Sequence, residues 1–181
     1  MTTRGPRTVS CLLLFGLLAS CLLVTTGRQL HLGNCKINVH TQELKQYFNE
    51  IRQSVLLDDN HMGLRLLKSL TMKDVKAVES CCFLRMLLRF YVERVFSSSA
   101  AGQSQIRRST SNLANSFLSI KKDLRQCHAH MQCHCQEHTS HKFAAIQTSF
   151  EKLNPKEAAV KAMGELDCLL DWLDSFHHFR H

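Results

Sequence analysis

From Thr41 to Leu57 the apolar residues Leu44, Phe48, Ile51 and Val55 recur in steps of four, three and four, the spacing of one face of a helix. Asp58-Asp59-Asn60 ends that pattern, and a short apolar piece, Leu64 to Leu70, predicts one or two further turns. Glu79 to Phe96 is apolar on nearly every side, with only Arg85, Arg89, Glu93 and Arg94 breaking it. A helix of that kind belongs in the middle of a bundle. The helical step resumes over Ile106–Gln126 through Leu113, Phe117, Ile120 and Leu124, and a shorter stripe follows at Phe143, Ile146, Phe150 and Leu153. Asn154-Pro155-Lys156-Glu157 then reads as a helix start: asparagine caps, proline suits the first position, and Glu157 can reach back to the cap. Ala159, Met163, Leu166, Leu170 and Leu173 run down one face beyond it, with Trp172 and Phe176 alongside and Gly164 expected mid-helix. The pattern predicts four substantial helices and two short ones, and no strand of comparable length competes. The expected class is therefore all-α.

The first residues change the picture of where this bundle resides. Arg4 and Arg7 precede an uncharged apolar run of 16 residues, Val9 to Val24, and the small residues Thr25-Thr26-Gly27 follow. Basic, apolar, small is the layout of a cleaved secretory leader. The run falls short of the roughly 20 residues a bilayer span needs. We expect residues 1–27 to be removed and residues 28–181 to form a single secreted domain. Removing Arg4 and Arg7 takes two from the 23 Lys+Arg and leaves 21 against 15 acids, a net charge of +6. Such a charge suits glycosaminoglycan or an acidic receptor face; nucleic acid is not an expected partner of a secreted chain.

Nine cysteines are present, and Cys11 and Cys21 leave with the leader. Of the remaining seven, most should pair in an oxidising compartment. Residues 127–135, CHAHMQCHC, could be mistaken for a metal grip. Structural zinc prefers C-x2–4-C pairs, whereas the spacing here is C-x5-C-x-C, and oxidised sulfur is no thiolate ligand. Cys81 and Cys82 are adjacent on a helix and point about 100° apart, so they bond poorly to each other. Cys133 and Cys135 are also too close to join comfortably. Crossing the two doublets is favoured, with Cys35 left for Cys127, but the register within the doublets stays open. Cys168 stands apart among core leucines as a free thiol.

His128, His130, His134, His138 and His141 crowd what reads as one solvated loop. Weak affinity for zinc or heparin is the functional alternative, strengthened by protonation for heparin and weakened for zinc. No Ser/His/Asp or Cys/His nucleophile arrangement and no phosphate loop stands out, so neither an enzyme nor a cofactor is expected.

Three stretches carry a resemblance: LANSFLSIKKDLRQCHAHMQCHC (113–135), CCFLRMLLRFYVERVF (81–96) and AVKAMGELDCLLDW (159–172). With LHLGNC around Cys35, they make the chain similar to the interleukin-20 subfamily of the interleukin-10 family of class II helical cytokines. The resemblance implies a compact six-helix bundle, helices A to F, stapled by Cys35–Cys127, Cys81–Cys133 and Cys82–Cys135. It implies a monomer that brings together two class II cytokine receptor chains of the interleukin-20 receptor type, alpha and beta, or the interleukin-22 receptor with the beta chain. Janus kinases and STAT activation in epithelial and related cells would follow, in inflammation and epidermal function. Cys168 departs from the family, where an aliphatic residue is usual. There is also no N-x-S/T sequon, so N-glycosylation is not expected.

In the family one receptor meets helix A, the loop after it and helix F, and the other meets a neighbouring face with helices A and D. Exposed candidates by helical position are Lys45, Gln46, Asn49 and Arg52 on helix A, Lys121, Lys122 and Arg125 on helix D, and Asp171 and Asp174 on helix F. The rival from another class is a cationic, disulfide-stapled helical protein acting on membranes in host defence.

Overall fold

The computed structural model describes residues 27–67, 72–98, 104–131 and 133–176. The expected leader, residues 1–27, lies outside them apart from Gly27, and so does the FHHFRH terminus apart from Phe176. Described elements are β1 (Arg28–Leu32), β2 (Cys35–Val39), α1 (Thr41–Asp58), α2 (Ser80–Phe90), α3 (Ser104–Met131), α4 (Glu137–Glu151), α5 (Pro155–Gly164) and α6 (Leu166–Ser175). A 3-10 turn, Ala77–Glu79, leads into α2, and a π-helical stretch, Tyr91–Val95, carries it on to Phe96–Ser98. The fold is a helical bundle, as the periodicity implied, and it is stapled by three disulfides.

A short hairpin precedes the helices, which the helical pattern did not predict. β1 and β2 pair antiparallel with Leu32 opposite Cys35 and Leu30 opposite Ile37. Leu30, Leu32, Cys35, Ile37 and Val39 are buried, while Lys36 and Asn38 face water. That alternation is a period of two flanking a Gly-Asn turn, the ordinary hairpin signal. Gly33 sits at φ 64°, a conformation open to glycine at little steric cost. A Cβ there would also lie 3.1 Å from the Ala77 carbonyl oxygen and the Val78 Cα, so the turn is packed on the 3-10 segment.

Other boundaries shift for physical reasons. α3 runs to Met131 rather than ending at Gln126, because its buried stripe Leu113, Phe117, Ile120, Leu124 is continued by half-buried Cys127. The short stripe around Phe143 is part of a 15-residue helix, α4. Leu64–Leu67 are not helical, and residues 68–70 lie outside the described residues. Gly164 does not sit mid-helix: α5 ends there, and Glu165 turns the chain (φ −101°, ψ 12°) into α6. Asn154 caps α5 as its sequence suggests, its side-chain oxygen accepting from the Glu157 N–H at 3.0 Å.

α2 is the central element. Phe83, Leu84, Leu87, Leu88 and Tyr91 are fully buried. Phe83 meets Trp172 edge-on at 5.7 Å between ring centres, and Phe90 meets Phe150 at 4.9 Å. Aromatic pairs in this geometry add about 1 kcal/mol each beyond their buried area. The buried Tyr91 hydroxyl donates to the Ala162 carbonyl at 2.8 Å, which keeps the core free of an unmet donor there.

Candidate functional site

One end of the bundle is held by sulfur. Cys35 of β2 bonds Cys127 of α3, with Cα atoms 5.7 Å apart. Cys81 and Cys82 on the first turn of α2 bond Cys133 and Cys135 of the linker, at 5.7 and 5.5 Å. Hairpin, central helix, α3 and linker are thereby tied at one pole. The buried Glu79 carboxylate adds a polar tie, accepting the Gln136 N–H at 2.6 Å.

A second feature runs along α1 and α6. Lys45 pairs with Asp174 and, at 3.1 Å, with Asp171. Arg52 reaches Asp167 at 3.3 Å. Hydrogen bonding to Asp174 foremost holds the Lys45 ammonium above its ordinary value, against the opposing effect of burial. Lys45, Arg52, Asp171 and Asp174 are therefore a cross-helix ladder rather than separate solvated charges. Gln46 and Asn49 are exposed beside it, lining a shallow depression of about 570 Å³ with Gln42, Glu43 and Glu50. Glu50 accepts from the Ser109 hydroxyl, joining α1 to α3.

Where α1 ends, the chain is clamped from beneath and apolar on top. Lys161 is 3% exposed, and its Nζ lies 2.9 Å from Asp59 Oδ2 and 3.4 Å from Glu165 Oε1. Glu165, also buried, accepts the N–H groups of Leu66 and Leu67 at 2.9 and 2.7 Å. Burial would raise the Asp59 carboxyl, but Lys161 and the His61 N–H outweigh it and hold the group below its usual range. His61 in turn meets Glu157 at 3.1 Å, and that contact foremost lowers the Glu157 carboxyl. Above this clamp Leu56, Leu57 and Met62 are 46, 80 and 84% exposed. Single exposed apolar residues are ordinary; a run of three within seven positions suggests a contact surface.

The remaining candidates are elsewhere. Lys121, Lys122 and Arg125 open towards α2, lining a groove of about 540 Å³ with Arg85, Met86, Arg89, Glu93 and Leu118. Glu93 sits between Arg89 Nε (2.9 Å) and Lys121 Nζ (3.2 Å). Arg89 foremost, then Lys121, holds its carboxyl below the ordinary value.

The histidines do not share one loop, which corrects that expectation. His128 and His130 lie on α3, His138 and His141 on α4, and only His134 lies in the linker. α3 extends because its buried stripe continues to half-buried Cys127, and the first turn of α4 buries Thr139. Among the described residues no group of three or more His, Cys, Asp or Glu side chains is placed to hold a metal ion. Half-buried Cys168 carries a free thiol that burial pushes up to about 11.

Sequence reasoning missed the Lys161–Asp59–Glu165 clamp. Lys161 and Glu165 are four apart, a spacing that puts them on one helix face. Nothing in the one-dimensional pattern says that this face turns inward, or that Asp59 meets it from 102 residues away. Leu57 and Met62 were legible only as apolar residues that fit no stripe.

A model of the family described as Interleukin 10 matches residues 7–178 of this chain. The chain is 45% identical over 152 residues to interleukin-20 of Mus musculus, covering 83% of this chain and 86% of that protein. It is 33% identical over 162 residues to interleukin-19 of Homo sapiens, covering 89 and 92%. The crystal structure of human interleukin-19 superposes with a TM-score of 0.69 at 33% identity, over 76% of this chain and 88% of that one. A structure of PROSS-edited human interleukin 24 gives 0.72 at 34% identity, over 83 and 99%.

Proposed function

The chain belongs to the interleukin-10 family of cytokines, and from that premise we propose that it acts outside the cell, joining two class II cytokine receptor chains. It is not an enzyme. A cytokine has no chemistry of its own; it works by presenting rigid patches that two membrane proteins grip at once. Residues 1–27 serve as the leader, and residues 28–181 act as one chain. The receptors are of the interleukin-20 receptor type, alpha and beta, with the interleukin-22 receptor and the beta chain as a second combination. Janus kinases and STAT factors are activated in epithelial and related cells.

The observation that carries this reading is the α1–α6 surface. Its charged ladder, Lys45, Arg52, Asp167, Asp171 and Asp174, is continued at the end of α1 by exposed Leu56, Leu57 and Met62. An apolar centre beside ordered polar groups is the usual anatomy of an interface. The clamp beneath holds the loop in one shape before binding, which lowers the ordering cost of association. One receptor chain engages this surface. The other engages the neighbouring depression, where Gln46 and Asn49 lie. Lys121, Lys122 and Arg125, the candidates on α3, line a groove with Arg85 and Arg89 of α2.

The test is a STAT reporter in cells carrying or lacking the receptor pair, run with liposome leakage on the same preparation. Receptor-dependent response with intact vesicles is expected; leakage without receptor dependence would favour the membrane-active reading. Leu57→Asp with Met62→Asp should lower potency about tenfold or more, as a truncated hot spot does, with the unfolding midpoint unchanged. Full potency in that variant would remove this surface from the reading.

A further inference from the structure

Five cationic side chains converge on the groove between α2 and α3. Arg85 and Arg89 stand one helical turn apart on the α2 wall, and Lys121, Lys122 and Arg125 occupy little more than one turn of α3. The Glu93–Lys121 pair sets the register, and the short connection between the helices makes them antiparallel. The cations therefore form a ladder along the groove rather than a single point of charge. Among the described residues Glu93 is the groove's one lining carboxylate. Asp123 of α3 opens instead onto a different groove, with Lys36, Asn38, Gln126 and His130. Among the described residues Arg85, Lys122 and Arg125 have no carboxylate within ion-pair distance. Like charges gathered in a concave site focus a positive potential and raise the local concentration of anions.

We infer that this groove binds a sulfated polysaccharide chain of the glycosaminoglycan class. Three features select that occupant. The two arginines present forks that match the oxygens of an oxyanion in pairs, while the lysines serve as point charges. Packed helices lie about 8–10 Å apart, so the groove admits one linear chain and excludes a nucleic-acid duplex from its floor. The apolar lining is half-buried Met86 and Leu118, 46% exposed. That is too little to insert into a bilayer, where a surface-lying helix needs a continuous apolar face. The site is separate from the α1–α6 surface, and it draws on the extracellular reading only for where such a chain would be met. Its consequence is retention of the cytokine near the cells that release it.

The experiment measures binding of the full secreted chain to heparin at about 0.15 M salt and the salt at which it elutes. Lys122→Glu with Arg125→Glu is compared with Arg107→Glu with Arg108→Glu, an equal charge change on exposed residues of the same helix. The first pair should weaken binding by about tenfold or more and flatten its salt dependence, the second far less. Glu93→Gln, which removes the groove's only anion, should tighten binding by about twofold or more. Heparin stripped of its sulfates should not bind. Receptor-dependent STAT response in cells lacking the polysaccharide should be unchanged in Glu93→Gln, which alters none of the candidate receptor contacts, so a failure here is distinguishable from a failure of the receptor reading. Equal loss in the two double variants would overturn the site in favour of diffuse charge. Tighter binding to duplex DNA or to phosphatidylserine vesicles than to heparin would overturn the occupant.

Discussion

Lys161 of α5 and Asp59, just past the end of α1, meet at 2.9 Å across 102 residues of sequence. Glu165 completes the contact and carries Leu66 and Leu67 on its second oxygen. The loop after α1 is therefore held by a buried charge cluster rather than by apolar packing alone. Removing one member of such a cluster strands the others, at a cost of about 3–5 kcal/mol. Lys161→Met is expected to fall in that range by urea unfolding, with lost hydrogen-exchange protection at the Leu66 and Leu67 amides. A change below about 1 kcal/mol would show the cluster to be ornamental to stability.

Acid should release the same clamp. The Asp59 carboxyl is lowered in the folded chain: burial pushes it up, but Lys161 and the His61 N–H together outweigh that. A group lowered on folding stabilises above its unfolded value, about 3.9, and that contribution fades as pH falls through the folded one. Wild type should lose stability as pH falls below about 4 more steeply than Asp59→Asn. Unfolding curves taken across that range check the difference in slope, and parallel curves would contradict it.

Seven cysteines follow residue 27, and six are bonded here. Peptide mapping of unreduced material should return Cys35–Cys127, Cys81–Cys133 and Cys82–Cys135. With its thiol near 11, Cys168 should be roughly a thousandth thiolate at pH 8 and alkylate slowly until denaturant exposes it. Replacing the Cys35–Cys127 pair, which closes the longest loop at 92 residues, should cost about 4–5 kcal/mol on the chain-entropy account. Fast native alkylation of more than one thiol would contradict this framework.

Gly164 offers a test with the opposite sign. A Cβ there would lie 3.6 Å from Leu56 Cδ2 and 3.7 Å from Asp59 Oδ2, ordinary contact distances. Alanine gains up to about 1 kcal/mol over glycine within a helix and less at a terminus. Gly164→Ala should therefore raise stability by about 0.5 kcal/mol, read from the thermal midpoint. A loss would mean that α1 and α5 approach more closely than these distances allow.

The helices were legible because their code is local. Leu44, Phe48 and Ile51, or Leu113, Phe117 and Ile120, declare one face by spacing alone. Asn154-Pro155 declares a start by its own backbone chemistry. The hairpin was legible too, in the alternation of Leu30, Leu32, Cys35, Ile37 and Val39 around Gly33-Asn34, but five-residue strands are easily overlooked beside long helical stripes. Tertiary structure alone decided which surfaces share a neighbourhood. Lys45 and Asp171 looked like separate exposed charges and form one ladder. Lys121, Lys122 and Arg125 looked like one helix face and prove to be half of a groove completed by Arg85 and Arg89. Periodicity reports which side of an element turns inward. It cannot report which other element covers that side, because that depends on packing between residues far apart in the chain.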